Sequence, residues 1–138
     1  MEQSTKLKEL YLRCCEAISS GDYPFFENYF SQKDGVLAIG TDPTEWWPGY
    51  ATITTIFKAQ LKEMGGFKIL ADTPLAYRAG SIGWVAGQPT LKFPDGTEMK
   101  VRLTAVFQKE QDDWKIVQWH FSVGISNEVL IGETLTNQ

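Results

Sequence analysis

At Gly65 and Gly66 the chain changes its hydrophobic period. Before that point, apolar side chains recur three and four residues apart. Leu7, Leu10, Tyr11, Cys14 and Ile18 do so over residues 3–19; Ile53, Ile56, Phe57, Leu61 and Met64 do so from Gly49 onward. Both sets form one stripe of a helix. After Gly66, residues 67–71, 75–78, 81–93, 98–109 and 114–123 read as strands, with turn signals at Pro94-Asp95-Gly96 and at residues 110–113. A stretch that buries one face with a 3.6-residue period cannot do so with a two-residue period, so each half is committed to its own structure. Helices first, then a run of strands, argues for an α+β domain with helices on one face of a sheet.

The first half has further punctuation. Ser20-Gly21-Asp22 ends the first helix, and Asp22 can cap a second, short one with Pro24 in its first turn. That helix carries Phe25, Phe26, Tyr29 and Phe30 and ends near Ser31. Val36–Ile39 reads as a short strand, and residues 41–48, with two prolines and two tryptophans, as a loop. At 138 residues the chain is expected to form one domain, 1–138, with a core of its own.

Charge and composition exclude several functions. The net charge is −4 and no basic cluster is present, which argues against nucleic acid as a partner. No apolar run approaches the roughly 20 residues of a membrane span. The start, MEQSTKLKEL, has no apolar signal core, so a cytoplasmic protein is expected. Cys14 and Cys15 are adjacent within a helical pattern, where a disulfide between neighbours hardly fits. They read as two small, part-buried residues. No Cys/His spacing suits zinc, and neither a metal nor a cofactor is expected.

Three features together resemble a known family. They are the Ser20-Gly21-Asp22 break, the strand–loop–glycine–helix segment Val36–Phe57, and the ending RLTAVFQKEQDDWKIVQWHFS with its R-x-T, W-K-I-V and H-x-S elements. The chain resembles the nuclear-transport-factor-two-like superfamily, the cone fold of ketosteroid isomerase, in its SnoaL-like branch. The resemblance spans nearly the whole chain. It implies a curved, cone-shaped sheet with three N-terminal helices enclosing a cavity. It does not fix an activity, because the family hosts enzymes, ligand carriers and oligomerisation domains.

Within such a cone, the last two strands suggest a site. Side chains alternate across a strand. One face carries Ile116, Gln118, His120 and Ser122, beside Arg102 and Thr104 of the preceding strand; the other carries Val117, Trp119, Phe121 and Val123, beside Val101, Leu103, Ala105 and Phe107. The uncharged hydrogen-bonding groups suit a cavity with a few convergent polar atoms. His120, the single histidine, then reads as a general base or ligand contact, or else as a core histidine satisfied by Ser122. Arg102 would pair a carboxylate or phosphate head, or a helix acid at the rim. Thr104, Gln118 and Ser122 would hold the ligand by hydrogen bonds. Trp46 and Trp47, with Tyr50 nearby, would form an aromatic lid over the cavity mouth, or else pack on the rim or in a dimer contact.

The resemblance places Asp42 near the isomerase's base, although Asp42-Pro43 also reads as a plain turn. Where the isomerase has its two oxyanion donors, this chain has Cys14 and, close by, Thr104, so steroid isomerisation is not expected. Tyr11, one turn earlier, could approach the cavity. The apolar second face implies a homodimer through Val117, Trp119 and Phe121. The function expected is therefore binding of a small hydrophobic molecule with a polar or anionic head, with or without metal-free acid–base chemistry. The alternative is an interaction domain.

Overall fold

The computed structural model describes residues 1–135; the last three residues of the expected 1–138 domain lie outside the described residues. In chain order the elements are β1 (Glu2–Gln3), α1 (Thr5–Ser20), α2 (Tyr23–Tyr29), β2 (Leu37–Ile39), β3 (Trp46–Pro48), α3 (Tyr50–Glu63), β4 (Lys68–Leu70), β5 (Leu75–Ala79), β6 (Ile82–Gly87), β7 (Thr90–Lys92), β8 (Glu98–Lys100), β9 (Arg102–Glu110), β10 (Asp113–Ser122) and α4 (Asn127–Ile131).

The helix boundaries follow local chemistry. The Ser4 hydroxyl accepts the Leu7 N–H at 3.1 Å and caps α1. Gly21, at φ +70°, ends it in the left-handed conformation that glycine adopts freely. Asp22 then caps α2 through the Phe25 N–H at 3.2 Å, with Pro24 in the first turn. A fourth helix, α4, follows the sheet and buries none of its residues.

Seven strands form one sheet in the order β1-β5-β6-β9-β10-β2-β3, and three form a second in the order β4-β7-β8. The large sheet is mixed: β10 runs antiparallel to β9 and parallel to β2. The strand-rich stretch over 81–93 holds two strands. β6 stops at Gly87 and β7 begins at Thr90, with Pro89 between. Across from that break, β8 and β9 are separated by Val101, whose N–H donates to the Pro89 carbonyl at 3.0 Å. Both breaks turn the chain from one sheet into the other, which curves the whole. Proline lacks the N–H a continuous ladder needs, so the break falls there. The expected loop at 41–48 also contains a strand, β3, paired antiparallel with β2.

The alternation in β10 is interrupted. Ile116 pairs with Phe107 and Gln118 with Val106, so Val117 is the extra residue of a bulge. The bulge puts Ile116 and Trp119, three apart, on the same buried face. The inner, helix-covered face of β9 and β10 therefore carries Leu103, Ala105, Phe107, Ile116 and Trp119. His120 pairs with Thr104 and Ser122 with Arg102 on the opposite face.

This corrects the face assignment. Trp119 is 3% exposed and packs edge-to-face against Phe26 and Phe57, at centroid separations of 5.5 and 5.7 Å. Phe121 also turns inward, and Val117 is the bulge residue. These three cannot be the outer dimer surface expected of them. The physical reason is burial: the helices cover whichever face removes most apolar area from water, and that is the Trp119 face.

Helix α1 lies close against β6. A Cβ on Gly87 would overlap the Tyr11 hydroxyl, and one on Gly83 would overlap Leu7. These glycines permit the close approach of the helix. The Tyr11 hydroxyl donates to Asp72 at 2.6 Å, and the Gln88 N–H donates to the same carboxylate at 2.8 Å. Burial, reinforced by the Asp72 hydrogen bond, pushes the Tyr11 phenol far above its ordinary range and keeps it a donor. Burial likewise pushes the Cys15 thiol up to about 12 and the Cys14 thiol higher still, so both cysteines are inert structural thiols.

Candidate functional site

A cavity of about 430 Å³ opens between α3, the inner face of β10, the small sheet, and the β2–β3 hairpin. That volume suits a small organic ligand. Trp119 and Phe121 come from β10; Val101 from the break between β8 and β9; Phe57, Gln60 and Leu61 from α3 and Met64 from its C-cap; Ile69, Leu91 and Met99 from the small sheet. Gln60 falls on the apolar stripe of α3, three residues after Phe57, and so reaches the cavity.

The polar end is built by the β2–β3 hairpin. The Asp42 carbonyl accepts the Glu45 N–H at 2.8 Å, and the Gly40 N–H donates to the Glu45 carbonyl at 2.9 Å. This turn directs the Glu45 side chain back over Gly40, where a Cβ would collide with it. Glu45 Oε1 accepts the Asp42 N–H at 3.0 Å, and Oε2 accepts from Gln60 Nε2 at 2.7 Å. A half-buried carboxylate is thus held by two neutral donors at the edge of an aromatic cavity. Glu63 and Thr41 complete the polar lining, which includes no lysine, arginine or histidine.

Of the nine residues expected at the site, Trp47 alone lines this cavity. His120, Gln118, Ser122, Arg102 and Thr104 lie on the other side of the sheet. Trp46, paired with Ile39, is 62% exposed on that side too. The Tyr50 hydroxyl donates to the Glu27 carbonyl at 2.6 Å and ties α3 to α2.

Asp42 is exposed. Its carboxylate accepts the Thr44 N–H and hydroxyl at 2.9 and 2.7 Å, which hold it below the usual carboxylate range. It builds the turn and does not face the cavity, the opposite of a base poised in an apolar pocket. Among the described residues no group of three or more His, Cys, Asp or Glu side chains is placed to hold a metal ion. The missed residues, Glu45 and Gln60, had a sequence signal: Gln60 is a polar residue on an apolar helix stripe, and Glu45 adjoins the tryptophan pair.

Comparison with known proteins agrees with this architecture. The chain superimposes on an NTF2-like protein of unknown function from Pseudomonas putida KT2440 with a TM-score of 0.79 at 15% identity, covering 99% of this chain and 98% of that one. An NTF2-like superfamily protein from Salmonella enterica serovar Typhimurium gives 0.75 at 18%, with 93% and 95% covered. A Nostoc punctiforme protein of unknown function with a cystatin-like fold gives 0.72 at 14%, with 91% and 97% covered. At these identities the likeness is one of fold. No curated protein sequence matches. The family model for the SnoaL-like domain matches residues 7–126, the span from the first core residue of α1 to the N-cap of α4, and on that match the chain belongs to the SnoaL-like domain family.

Proposed function

We propose that the chain is a small-molecule-binding domain whose ligand lies in the cavity between α3 and the inner sheet face. The observation that carries this reading is the hydrogen-bonded Glu45–Gln60 pair in a largely apolar, aromatic-walled space. Such a space takes a compact apolar body with one polar end. The expectation of an anionic head gives way, because two carboxylates and no cationic side chain line the cavity. Glu45, oriented by two donors, also has the geometry of a general base. Proton transfer there is the second reading, distinguished by whether a bound molecule is recovered altered.

The three methionines supply the test, because Met64 and Met99 line the cavity while Met1 does not. On titration with 2-phenylethanol, the methyl signals of Met64 and Met99 are expected to shift and that of Met1 to stay. A bulky Met64→Trp replacement should weaken binding by about tenfold or more by filling the space. Unmoved cavity methyls, or equal binding by the filled variant, would defeat the reading.

We also infer a homodimer, now through the true outer face. The helices pack on the other side of the large sheet. The outer face carries Leu37, Ile39, Trp84 and Val106 among the polar residues, with Trp46 and Leu75 strongly exposed at 62% and 59%. A self-complementary sheet face is buried by two-fold symmetry. Sedimentation should give twice the 15.6 kDa chain mass, reduced to one chain by Val106→Asp. A compact wild-type monomer would overturn this.

A further inference from the structure

Resting on the cavity reading above, we propose that the ligand's polar end is an amine, bound as an ammonium ion by Glu45. Three features of the cavity converge on it. First, the Glu45 carboxylate lacks a cationic partner. Its two hydrogen bonds come from a backbone N–H and from an amide NH₂, both neutral. The one ion pair found among the described residues, Lys115 with Asp113, lies elsewhere. A carboxylate has about four acceptor positions, so two remain for a ligand.

Second, the neighbouring polar group is also an acceptor. Gln60 uses one of its two N–H donors on Glu45, which leaves its amide oxygen open to accept from a ligand. A head that only accepts hydrogen bonds would leave the Glu45 carboxylate unmatched, and an anion would meet the Glu45 and Glu63 carboxylates. An ammonium group brings up to three donors and the missing positive charge.

Third, the walls are aromatic. Trp47, Phe57, Trp119 and Phe121 line the same space. Ring faces attract a cation that has left water. A carboxylate framed by rings is therefore matched to a cation on an apolar body, and a neutral alcohol of the same shape exploits only part of it.

The test compares three probes of nearly equal size by the same methionine methyl signals: 2-phenylethylamine, 2-phenylethanol and phenylacetate. The amine is expected to bind about tenfold or more tighter than the alcohol, because it pairs a positive charge with the Glu45 carboxylate where the alcohol offers only a neutral donor. Phenylacetate should bind weakest. Glu45→Gln should remove the amine's advantage, lowering its affinity far more than that of the alcohol. Equal affinity for amine and alcohol, tighter binding of phenylacetate, or an amine preference that survives Glu45→Gln would each overturn the proposal and leave the cavity reading standing. Failure of all three probes to move Met64 and Met99 would overturn the cavity reading itself.

Discussion

Trp119→Ala is expected to destabilise the protein by about 3–5 kcal/mol, the usual range for truncating a large buried aromatic. Trp119 sits among Phe26, Phe30 and Phe57, and four of the contacts among these four rings are edge-to-face with centroids 4.9–5.7 Å apart. Removing the indole forfeits its burial and leaves Phe26 and Phe57 facing a void that a close-packed core fills poorly. Domains of this size have only about 5–15 kcal/mol of stability in total, so the variant should stand near the edge of unfolding. Trp119→Asp, which adds an unpaired buried charge, should not fold at all. Urea unfolding checks the first, and far-ultraviolet circular dichroism the second. The competing placement, Trp119 on an outer dimer face, predicts a change of sedimentation with little loss of stability. That result would show the strand assignment to be inverted after all.

The second large effect is expected where α1 touches β6. Gly87→Ala should cost about 2–4 kcal/mol. The new methyl would overlap the Tyr11 hydroxyl and come within 2.8 Å of the Asp72 carboxylate. Overpacking of this kind costs about 1–3 kcal/mol. Displacing the hydroxyl also strands a buried donor, which adds about 1–3 kcal/mol. Tyr11→Phe alone should cost about 1–3 kcal/mol, because the ring stays and only the 2.6 Å bond to Asp72 goes. The two changes should couple. With the hydroxyl already absent, the methyl meets less obstruction, so the double variant should be at least about 1 kcal/mol better than the sum of the singles. Strict additivity in urea unfolding would mean that Gly87 and Tyr11 are independent, and that the close approach is not what demands glycine there.

Much of the fold was legible because it rests on local chemistry. Ser20-Gly21-Asp22 ends one helix and starts another through a left-handed glycine and a carboxylate cap, both encoded within a few residues. The stripe of α3 and its end before Gly66 follow from a 3.6-residue period and a glycine pair. The strand-rich second half follows from alternation. A break such as Pro89 is also local, since a missing N–H interrupts a ladder wherever it falls, yet its consequence, a second sheet, depends on Val101 lying across from it.

What the sequence alone determined about this protein, then, is the order of helices before strands, the bounds set by local caps and turns, and the family the chain belongs to; β1, β3 and α4 were not among the elements legible in it. What only the tertiary structure decided is which side of the sheet the helices cover. A strand presents two faces that differ by one residue in phase, and the bulge at Val117 changes that phase in the middle of β10. His120, Gln118 and Ser122 looked like a converging polar site because alternation placed them together, and they are together, on the side away from α3. The cavity's own polar pair unites Glu45 and Gln60, fifteen residues apart on a hairpin and a helix. Their meeting depends on how that hairpin folds back across α3, a long-range packing outcome that no local period encodes.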